Sequence, residues 1–276
     1  MIIKALAENT SSDAALGAEH GLSVYIETDH HKILFDTGAS GLFAQNAATL
    51  GVDLGAVDIV VISHGHYDHG GGLKTFLEQN DKAVICLHEK AFGPYYARRP
   101  DNSITYIGLD GALWPNERFV LCSDRHVIDD ELELFSAVKG EKLMPSGNEN
   151  LLSLEGEEYY RDTFSHEQNL IIGSGEKTLL IAGCAHRGIV NIIDRFKALR
   201  GVMPTYVIGG FHLYSHGKQQ SEAAETVREI GENLLASEAM FYTCHCTGIE
   251  SYERLKAVMA DKIAYLSTGD RIEIDL

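Results

Sequence analysis

The chain has 276 residues, of which 45% are hydrophobic, and this is enough for one large domain or two small ones with a sizeable core. Its 40 acidic and 23 basic residues give a formal net charge of −17, which argues against nucleic acid and anionic membrane surfaces as partners. No apolar run approaches the roughly 18 residues of a membrane span, and the first residues become polar too early for a signal peptide. Five cysteines, an odd number in a long chain, favour a reducing compartment over a disulfide framework. We therefore expect a soluble cytoplasmic protein.

The first third of the sequence alternates strand and helix patterns. Apolar β-branched runs separated by a polar turn predict a hairpin, and a short continuous apolar run predicts a strand covered on both faces. The predicted elements are, in order, strands at 21–29 and 31–38, a helix at 40–52, a strand at 57–63, a helix at 72–80 and a strand at 82–88.

The same alternation returns in the last part of the chain, after an irregular middle from about 89 to 165. The predicted elements there are a hairpin over 169–186, helices at 188–201, 221–238 and 249–259, and strands at 204–212 and 239–248. The two ends share one pattern, and no low-complexity linker separates them. We predict a single α/β domain over 1–276 with an irregular insertion at about 89–165.

The turn that follows the predicted strand at 57–63 concentrates groups that bind metals. It reads SHGHYDHGGGL and contains His64, His66, Asp68 and His69 within six positions. Neutral imidazole and carboxylate suit zinc, iron or manganese. Gly65 permits unusual backbone dihedrals and close approach. One such turn can give two ligands to each of two neighbouring metals, and the alternative is a solvated histidine-rich loop.

Two further predicted strands end at a histidine that precedes a helix. These are His186 in LLIAGCAH and His245 in FYTCHCTG. Either histidine alone is more often a capping or packing residue. Because both stand at positions equivalent to the first turn, the three segments together predict metal ligands.

These motifs resemble a known family. The pattern His64-x-His66-x-Asp68-His69 after an apolar strand, preceded by Asp36-Thr37-Gly38, resembles the metallo-β-lactamase fold superfamily. A closer resemblance is to proteins similar to 7,8-dihydropterin-6-methyl-4-(β-D-ribofuranosyl)-aminobenzene-5′-phosphate synthase. It is carried by four segments: HEQNLII (166–172), GCAHRGIVNII (183–193), GGFHL (209–213) and HCTG (245–248).

The resemblance implies an α/β fold, an αββα four-layer sandwich in which two similar halves pack their sheets together. It also implies two divalent transition metals, which we take as zinc, with iron or manganese as alternatives. Metal 1 would be held by His64, His66 and His186, and metal 2 by Asp68, His69 and His245. Asp36 would lie beneath the loop and fix its backbone or a histidine tautomer, or simply cap a turn.

The sequence departs from the superfamily at one position. A bridging aspartate usually follows the strand after the third motif, whereas this chain has VIGGFHL there, with His212 as the nearest polar group. An imidazole cannot easily bridge metals about 3.5–4 Å apart. Either metal 2 binds more weakly, or a distant residue such as Glu167 takes the place. His212 could ligate metal 2 or donate a proton to the leaving group, and we favour proton donation.

The cysteines near these histidines are interpreted as structural. Strand alternation would turn Cys244 and Cys246 away from the face that carries His245, which predicts buried, inert thiols. Cys184 shares the alternation of His186, although we favour packing in the core over ligation. The histidines without a motif are interpreted as surface or hydrogen-bonded residues: His20, His30, His31, His126 and His216.

The insertion is expected to shape a substrate pocket. Tyr95, Tyr96, Arg98 and Arg99 could stack a ring and clamp a phosphate, although they also suit a solvated turn with aromatic packing. Glu167 is a further candidate for substrate binding.

We predict a metal-dependent hydrolase in which metal-activated water attacks a small, phosphorylated, pterin-like or nucleotide-like substrate. Asp68 would orient that water and accept its proton. The alternatives are an iron-dependent oxidoreductase on the same fold and a ligand sensor without turnover. The partner expected is a small molecule, with no nucleic acid and no membrane, and the sequence also allows a homo-oligomer.

Overall fold

The computed structural model describes residues 1–215 and 218–276. Its strands are β1 (Ile2–Ala7), β2 (Ser23–Glu27), β3 (Lys32–Phe35), β4 (Ile59–Ile62), β5 (Val84–His88), β6 (Tyr95–Arg98), β7 (Ile104–Tyr106), β8 (Phe119–Cys122), β9 (Arg125–Val127), β10 (Leu132–Phe135), β11 (Leu151–Glu155), β12 (Glu158–Arg161), β13 (Asn169–Ile172), β14 (Leu179–Ile181), β15 (Tyr206–Gly209), β16 (Tyr214–Ser215), β17 (Gln220–Ser221), β18 (Met240–Thr243), β19 (Ile263–Tyr265) and β20 (Arg271–Glu273). The α-helices are α1 (Leu42–Thr49), α2 (Tyr67–Gly70), α3 (Leu73–Gln79), α4 (Ile189–Arg200), α5 (Ala224–Leu235) and α6 (Ile249–Met259). Within the described ranges, no helix has the length and apolarity that crossing a membrane requires.

Two seven-stranded sheets dominate the architecture. The first has the order β20-β1-β2-β3-β4-β5-β8, and the second has the order β19-β18-β15-β14-β13-β10-β9. In each sheet an antiparallel hairpin leads into four parallel strands, β3-β4-β5-β8 in one and β14-β15-β18-β19 in the other. The hairpins predicted at 21–38 and 169–186 are thus confirmed as β2–β3 and β13–β14.

The two sheets pack face to face, and helices cover their outer faces. Alternation along β3 shows the arrangement, since Phe35 faces the other sheet while Leu34 packs beneath Phe43 of α1. On the second sheet, Ile181 faces inward and Leu180 packs beneath Phe196 of α4. The predicted αββα four-layer sandwich is therefore confirmed. Replacing a fully buried aromatic such as Phe35 with alanine would cost about 3–5 kcal/mol.

The segment from about 89 to 165 is only partly an insertion. Strands β6, β7, β11 and β12 form a separate four-stranded sheet, but β8 extends the first large sheet, and β9 and β10 belong to the second. The insertion predicted at about 89–165 therefore does not include β8–β10, which belong to the two large sheets. These strands have only three or four residues each, and β8 and β9 are partly exposed edge strands, so their apolar pattern is weak in the sequence.

The parallel strands bring the conspicuous motifs to one place. In parallel sheets, the carboxyl ends of neighbouring strands lie along the same edge, where sites commonly form. The turn after β4, the segments after β14 and β15 and the segment after β18 carry the histidines singled out above, and their side chains meet at this edge.

Candidate metal centre

The turn after β4 owes its shape to a close backbone approach at Gly65. A Cβ at this position would lie 2.2 Å from the carbonyl oxygen of Ala91, so any larger residue would force the turn outward. The Gly65 amide donates to Nδ1 of His166 at 2.9 Å, which anchors the turn to the second half of the molecule. The prediction that Gly65 allows close approach is confirmed.

Three histidines converge from this turn and from the end of β14. His64 Nε2 lies 3.1 Å from His66 Nδ1. Two nitrogens that share a tetrahedral metal at about 2.0–2.1 Å are roughly 3.3 Å apart, so this spacing fits a common ion. The ring of His186 lies 4.9 Å from that of His64 and 5.0 Å from that of His66, measured between centroids. Its Nε2 is buried and has no hydrogen-bond partner among the residues that the structure describes.

A second group of ligand atoms gathers beside the first. Asp68 Oδ2 lies 3.4 Å from His245 Nε2 and 3.7 Å from His69 Nε2. All three residues are buried, although each comes from a polar segment. The six side chains expected at two metal sites are therefore brought together in two adjacent groups of three.

The remaining nitrogens of these imidazoles are held by neighbouring oxygens. His64 Nδ1 donates to Ser63 Oγ at 2.9 Å, and His69 Nδ1 donates to Asp36 Oδ2 at 2.6 Å. Asp36 also accepts from the amide and the hydroxyl of Ser63, both at 2.7 Å. The prediction that Asp36 fixes the loop backbone and a histidine tautomer is confirmed.

The histidines from the second sheet are held in the same way. His186 Nδ1 donates to Asn148 Oδ1 at 3.0 Å, and His245 Nδ1 donates to Asn9 Oδ1 at 2.7 Å. The His245 amide donates to Glu8 at 3.0 Å. Because one nitrogen of each ring is fixed as a donor, the other nitrogen presents its lone pair to the centre.

The buried environment sets the charge of these groups. Burial, reinforced by the neighbouring imidazoles, holds the pKa of His64 and His186 well below the usual histidine range. Burial opposes the charged form of His69 as well, but the Asp36 and Asp68 carboxylates raise its pKa to about 9. Burial works against ionisation of Asp68 too, yet His69, His20 and His245 hold its pKa well below its usual range. His64 and His186 therefore offer neutral nitrogen donors and Asp68 an ionised carboxylate, whereas His69 would release a proton on binding a divalent cation.

Comparison with known proteins identifies the fold family. Residues 16–232 match the family model described as the metallo-beta-lactamase superfamily. The chain belongs to the metallo-β-lactamase superfamily. It is similar to the crystal structure of Tm1679, described as a metal-dependent hydrolase of the beta-lactamase superfamily, with 29% identity over 99% of both chains and a TM-score of 0.82.

Two proteins of Methanocaldococcus jannaschii are also similar over most of the chain. One is the uncharacterized protein MJ0448, 28% identical over 92% of this chain and 93% of its own length. The other is the 7,8-dihydropterin-6-methyl-4-(β-D-ribofuranosyl)-aminobenzene-5′-phosphate synthase, 27% identical over 87% of this chain and 88% of its own length. The resemblance to proteins similar to this synthase is confirmed.

Relative to the superfamily's usual pattern, the position of the bridging aspartate is taken by the segment with His212. The His212 ring lies 4.2 Å from the His186 ring, between centroids, and borders the cleft above the centre. Both of its nitrogens are buried, and within the described residues neither has a hydrogen-bond partner. The side chain is thus placed at the centre with both nitrogens unused.

Glu167 does not occupy the bridging position. Its carboxylate accepts from the amide of His186 at 2.6 Å and from the amide of Arg187 at 3.0 Å. The side chain is buried, and its exposed edge borders a different cleft from the one above the centre. The hypotheses that Glu167 bridges metals or binds substrate are therefore corrected: Glu167 caps the turn that carries His186.

The prediction for Cys246 also needs correction. Strand β18 ends at Thr243, and residues His245–Thr247 form a short 3-10 turn, so strand alternation does not apply there. Cys244 is buried between the sheets, as predicted. Cys246 instead borders the cleft, and its Sγ accepts a hydrogen bond from the His212 amide at 3.3 Å.

His20 was interpreted as a surface or hydrogen-bonded residue, and the structure places it at the centre. Its Nε2 lies 3.2 Å from Asp68 Oδ2, and its ring stacks on that of His245 at 4.8 Å. No motif in the sequence marks this residue. Of the other histidines without a motif, His30 is exposed and His31 pairs with Asp129 at 2.8 Å. His126 is half-buried, and His216 lies outside the described residues.

His166 and Asp162 form part of the support for the centre that sequence reasoning missed. His166 Nε2 donates to Asp162 Oδ2 at 3.0 Å, and the same carboxylate lies 3.9 Å from His66 Nε2. Gln168 donates from its side chain to the carbonyl oxygen of Ile62 at 2.8 Å, which fixes the end of β4. The signal available was the polar cluster His-Glu-Gln-Asn directly before a buried strand, where polar residues need partners.

The backbone at the centre is strained at four strand ends. Asp36, Ala185, His212 and His245 have φ values of 59°, 53°, 51° and 53°, in the left-handed region. Such conformations cost on the order of 1–3 kcal/mol each in residues other than glycine and cluster at functional sites. The surrounding hydrogen bonds hold these turns in place and so fix where the adjacent side chains point.

A cleft opens above the centre. Arg98 and Arg99 line it together with residues of the centre, as the phosphate-clamp prediction requires. The enclosed part of the cleft is about 100 Å³, so a ligand larger than a few atoms would extend from it towards solvent.

The aromatic part of that prediction is wrong for Tyr95. Its hydroxyl donates to the carbonyl oxygen of Lys90 at 2.6 Å and its ring lies 3.9 Å from that of His166, so Tyr95 supports the turn from behind. Tyr96 packs against Tyr106 and Tyr159 in the small sheet. The aromatic residues that border the cleft are Tyr67 and Tyr214.

Proposed function

We propose that the protein is a hydrolase that uses two divalent transition metal ions, with zinc as the first candidate. His64, His66 and His186 would hold one ion, and Asp68, His69 and His245 the other. The proposal agrees with membership of the metallo-β-lactamase superfamily and with the similarity to a metal-dependent hydrolase of that superfamily.

One observation carries this proposal. In His64, His69, His186 and His245, one ring nitrogen donates to a neighbouring oxygen while the other faces the centre. Within the described residues, the inward Nε2 of His186 is buried with no hydrogen-bond partner, and that of His245 is buried with only Asp68 Oδ2 nearby, at 3.4 Å. Leaving such a group unsatisfied costs about 1–3 kcal/mol, and a bound cation would remove that cost. In histidines with only a structural role, such buried atoms are normally hydrogen-bonded.

The chemistry follows from the groups that border the cleft. Bound divalent metals supply Lewis acidity and lower the pKa of water. Asp68 is ionised and lies at the floor of the cleft, so its carboxylate can orient the attacking water and take up its proton. His212 stands beside His186 with free nitrogens, and imidazole is suited to proton transfer near neutral pH. We assign it the protonation of the leaving group.

The substrate we propose is a small phosphorylated compound with an aromatic ring, pterin-like or nucleotide-like. Arg98 and Arg99 offer planar guanidinium groups for a phosphate in a protein whose net charge is −17. Tyr67 and Tyr214 border the same cleft and can contact a ring. The name of the similar synthase includes both a pterin and a phosphate, which supports this substrate class.

The test combines metal analysis with an activity panel. The purified protein should contain up to two transition metals per chain, and His64→Ala should lose most of them, while the exposed His30→Ala should not. Phosphoester and thioester substrates should be hydrolysed without oxygen uptake. Metal-dependent oxygen uptake would favour the iron-dependent oxidoreductase, and stoichiometric ligand binding without turnover would favour the sensor. Equal metal content in wild type and His64→Ala would overturn the site assignment.

A further inference from the structure

The two groups of ligands lack a shared anion. The six proposed ligands comprise five neutral imidazoles and one carboxylate, so two divalent cations would leave a buried charge of about +3. The superfamily's bridging aspartate has no counterpart in the segment with His212, and Glu167 is engaged with backbone amides. A further anionic ligand between the two sites would lower this charge.

We infer that the Cys184 thiolate is that bridging ligand, an inference that rests on the two-metal site proposed above. Cys184 is shared by both groups of ligand atoms. Its Sγ lies 3.1 Å from His69 Nε2, and together with Asp68 and His245 these atoms are all within 4.8 Å of one another. Ligand atoms of His64 and His186 are also within 4.8 Å of Cys184 and of each other.

The local fold explains why this side chain can reach both groups. A Cβ on Gly183 would lie 2.2 Å from Ser63 Oγ, so the missing side chain lets the end of β14 press against the end of β4. Cys184 follows directly and is 2% exposed. Two metals about 3.5–4 Å apart can both lie about 2.3 Å from one sulfur. A thiolate bridge is therefore compatible with ligand atoms that lie within 4.8 Å of one another in each group.

Two independent observations support a ligand role over packing. The Nε2 atoms of His186 and His245, one from each group, are buried and directed at the centre, and among the described residues that of His186 has no hydrogen-bond partner. Cys184 also lies among polar ligand atoms, whereas the packing cysteine of β18, Cys244, lies among aliphatic side chains between the sheets. A thiol that binds a metal releases its proton to solvent, and the resulting thiolate lowers the net charge of the two sites by one.

Cys246 provides a matched control. It is equally buried. Its Sγ lies within 4.8 Å of the Sγ of Cys184 and of a ring nitrogen of His212. However, it belongs to neither group that contains Asp68 or His64. Serine substitutions at the two positions therefore remove the same atom from nearly the same place, but only one of them removes the proposed bridge.

The experiment is a titration of the metal-free, full-length protein with Co²⁺, followed by its absorption spectrum. Thiolate coordination gives an intense sulfur-to-cobalt charge-transfer band in the near ultraviolet. We expect this band in the wild type, rising through both equivalents of cobalt because one sulfur touches both ions. Cys184→Ser should lose the band and bind the second cobalt at least tenfold more weakly, whereas Cys246→Ser should keep the band. Cys184→Asp should recover two-metal binding without the band, since a carboxylate can also bridge.

The outcomes separate the bridge from the site itself. A band that persists in Cys184→Ser, or is lost in Cys246→Ser instead, overturns the bridge. A band complete after one equivalent shows a terminal thiolate on one metal and also overturns the bridge. If the wild type binds two cobalt ions without any band, the thiolate bridge is overturned but the two-metal site is not. If the wild type binds no cobalt, the proposed metal function itself is overturned. Circular dichroism of each variant confirms that it is folded before the titration is interpreted.

Discussion

At the scale of single residues, three imidazoles of the centre are each held by an outward anchor. Asp36 anchors His69, Asn9 anchors His245 and Asn148 anchors His186. The anchors fix ring orientation, and partners of this kind typically contribute 10–100-fold to metal affinity. Neither nitrogen of His212 has such an anchor within the described residues, and Nε2 of His66 lies 3.9 Å from the nearest carboxylate, that of Asp162.

The first prediction concerns His212. His212→Ala should leave metal content unchanged and lower turnover by roughly 10²–10⁴-fold, because it removes a proton donor but no ligand. Metal analysis and turnover on the same sample check this. Loss of about one metal per chain would instead make His212 a ligand, and wild-type values for both measurements would make it a packing residue.

The second prediction concerns the two arginines of the cleft. Replacing both Arg98 and Arg99 with alanine should raise KM for phosphorylated substrates at least tenfold, because charge-assisted hydrogen bonds contribute about 1.5–3 kcal/mol each. Metal content should not change. Arg125→Ala, an exposed arginine paired with Glu133, is the control. If the kinetics are unaltered for every phosphorylated substrate that turns over, the two arginines do not bind the phosphate and belong to a solvated turn.

At the scale of elements, the site depends on how strand ends are capped. The turn between β14 and α4 carries both Cys184 and His186, and Glu167 holds it by accepting two consecutive amides. The turn contains Ala185 in the left-handed region, so it needs such support. The position of the ligands is therefore decided by a carboxylate that never faces the substrate.

The third prediction tests that support. Glu167→Gln places an amide NH₂ against a backbone N–H, and it should lower the free energy of unfolding by about 1–3 kcal/mol. It should also weaken binding of the metal at His64, His66 and His186 by about 10–100-fold. Calorimetric metal titration checks this against Glu176→Gln on an exposed loop. If Glu167→Gln binds metal as the wild type does, the turn does not need this cap.

Much of the fold and of the site could be predicted because the relevant signals are local. The buried run of β4 and the spacing from His64 to His69 lie within one short segment, and His186 and His245 end strands of the same kind. Predictions failed where the answer depended on partners distant in sequence. The ring of Tyr95 packs against His166 instead of facing the cleft. The carboxylate of Glu167 accepts hydrogen bonds from backbone amides of a turn that begins 19 residues later. Strand alternation does not apply to Cys246, because β18 ends at Thr243 and Cys246 lies in the 3-10 turn that follows.

At the scale of the whole molecule, two sheets of similar topology pack together so that the ends of their parallel strands meet. The centre lies at that shared edge, with His64 and His69 from one half and His186 and His245 from the other. Buried histidines are correspondingly numerous, and those that must remain neutral make the fold sensitive to acid. His88, at the end of β5, shows this effect away from the proposed ligands.

The fourth prediction follows from His88. Burial lowers its pKa from 6.5 to about 4, although Glu89 nearby acts in the opposite direction. Above about pH 6.5 the ring is neutral whether the chain is folded or not, so it has no effect on stability. As the pH falls from 6.5 towards 4, the unfolded chain takes up a proton that the folded chain does not, and the free energy of unfolding decreases.

His88→Gln should remove this decrease. Between neutral pH and about pH 4, the free energy of unfolding should fall by roughly 1–2 kcal/mol less in the variant than in the wild type. This is smaller than the full pKa shift would give, because the ring borders an open cleft. Chemical denaturation at a series of pH values measures this. His30→Gln, at an exposed turn, should follow the wild type, and a parallel pH profile for His88→Gln would show that the folded protein accepts the proton freely.

The central claim is that two adjacent groups of side chains each hold one divalent metal. The most direct measurement is zinc stoichiometry and affinity by calorimetric titration of the metal-free protein, for the wild type, His186→Ala and His245→Ala. We predict two zinc ions per chain in the wild type and about one in each variant, with a different ion lost in each case, so that the double variant binds neither ion tightly. A wild type that binds no zinc or other divalent transition metal, or variants whose stoichiometry and affinity equal those of the wild type, would contradict the account.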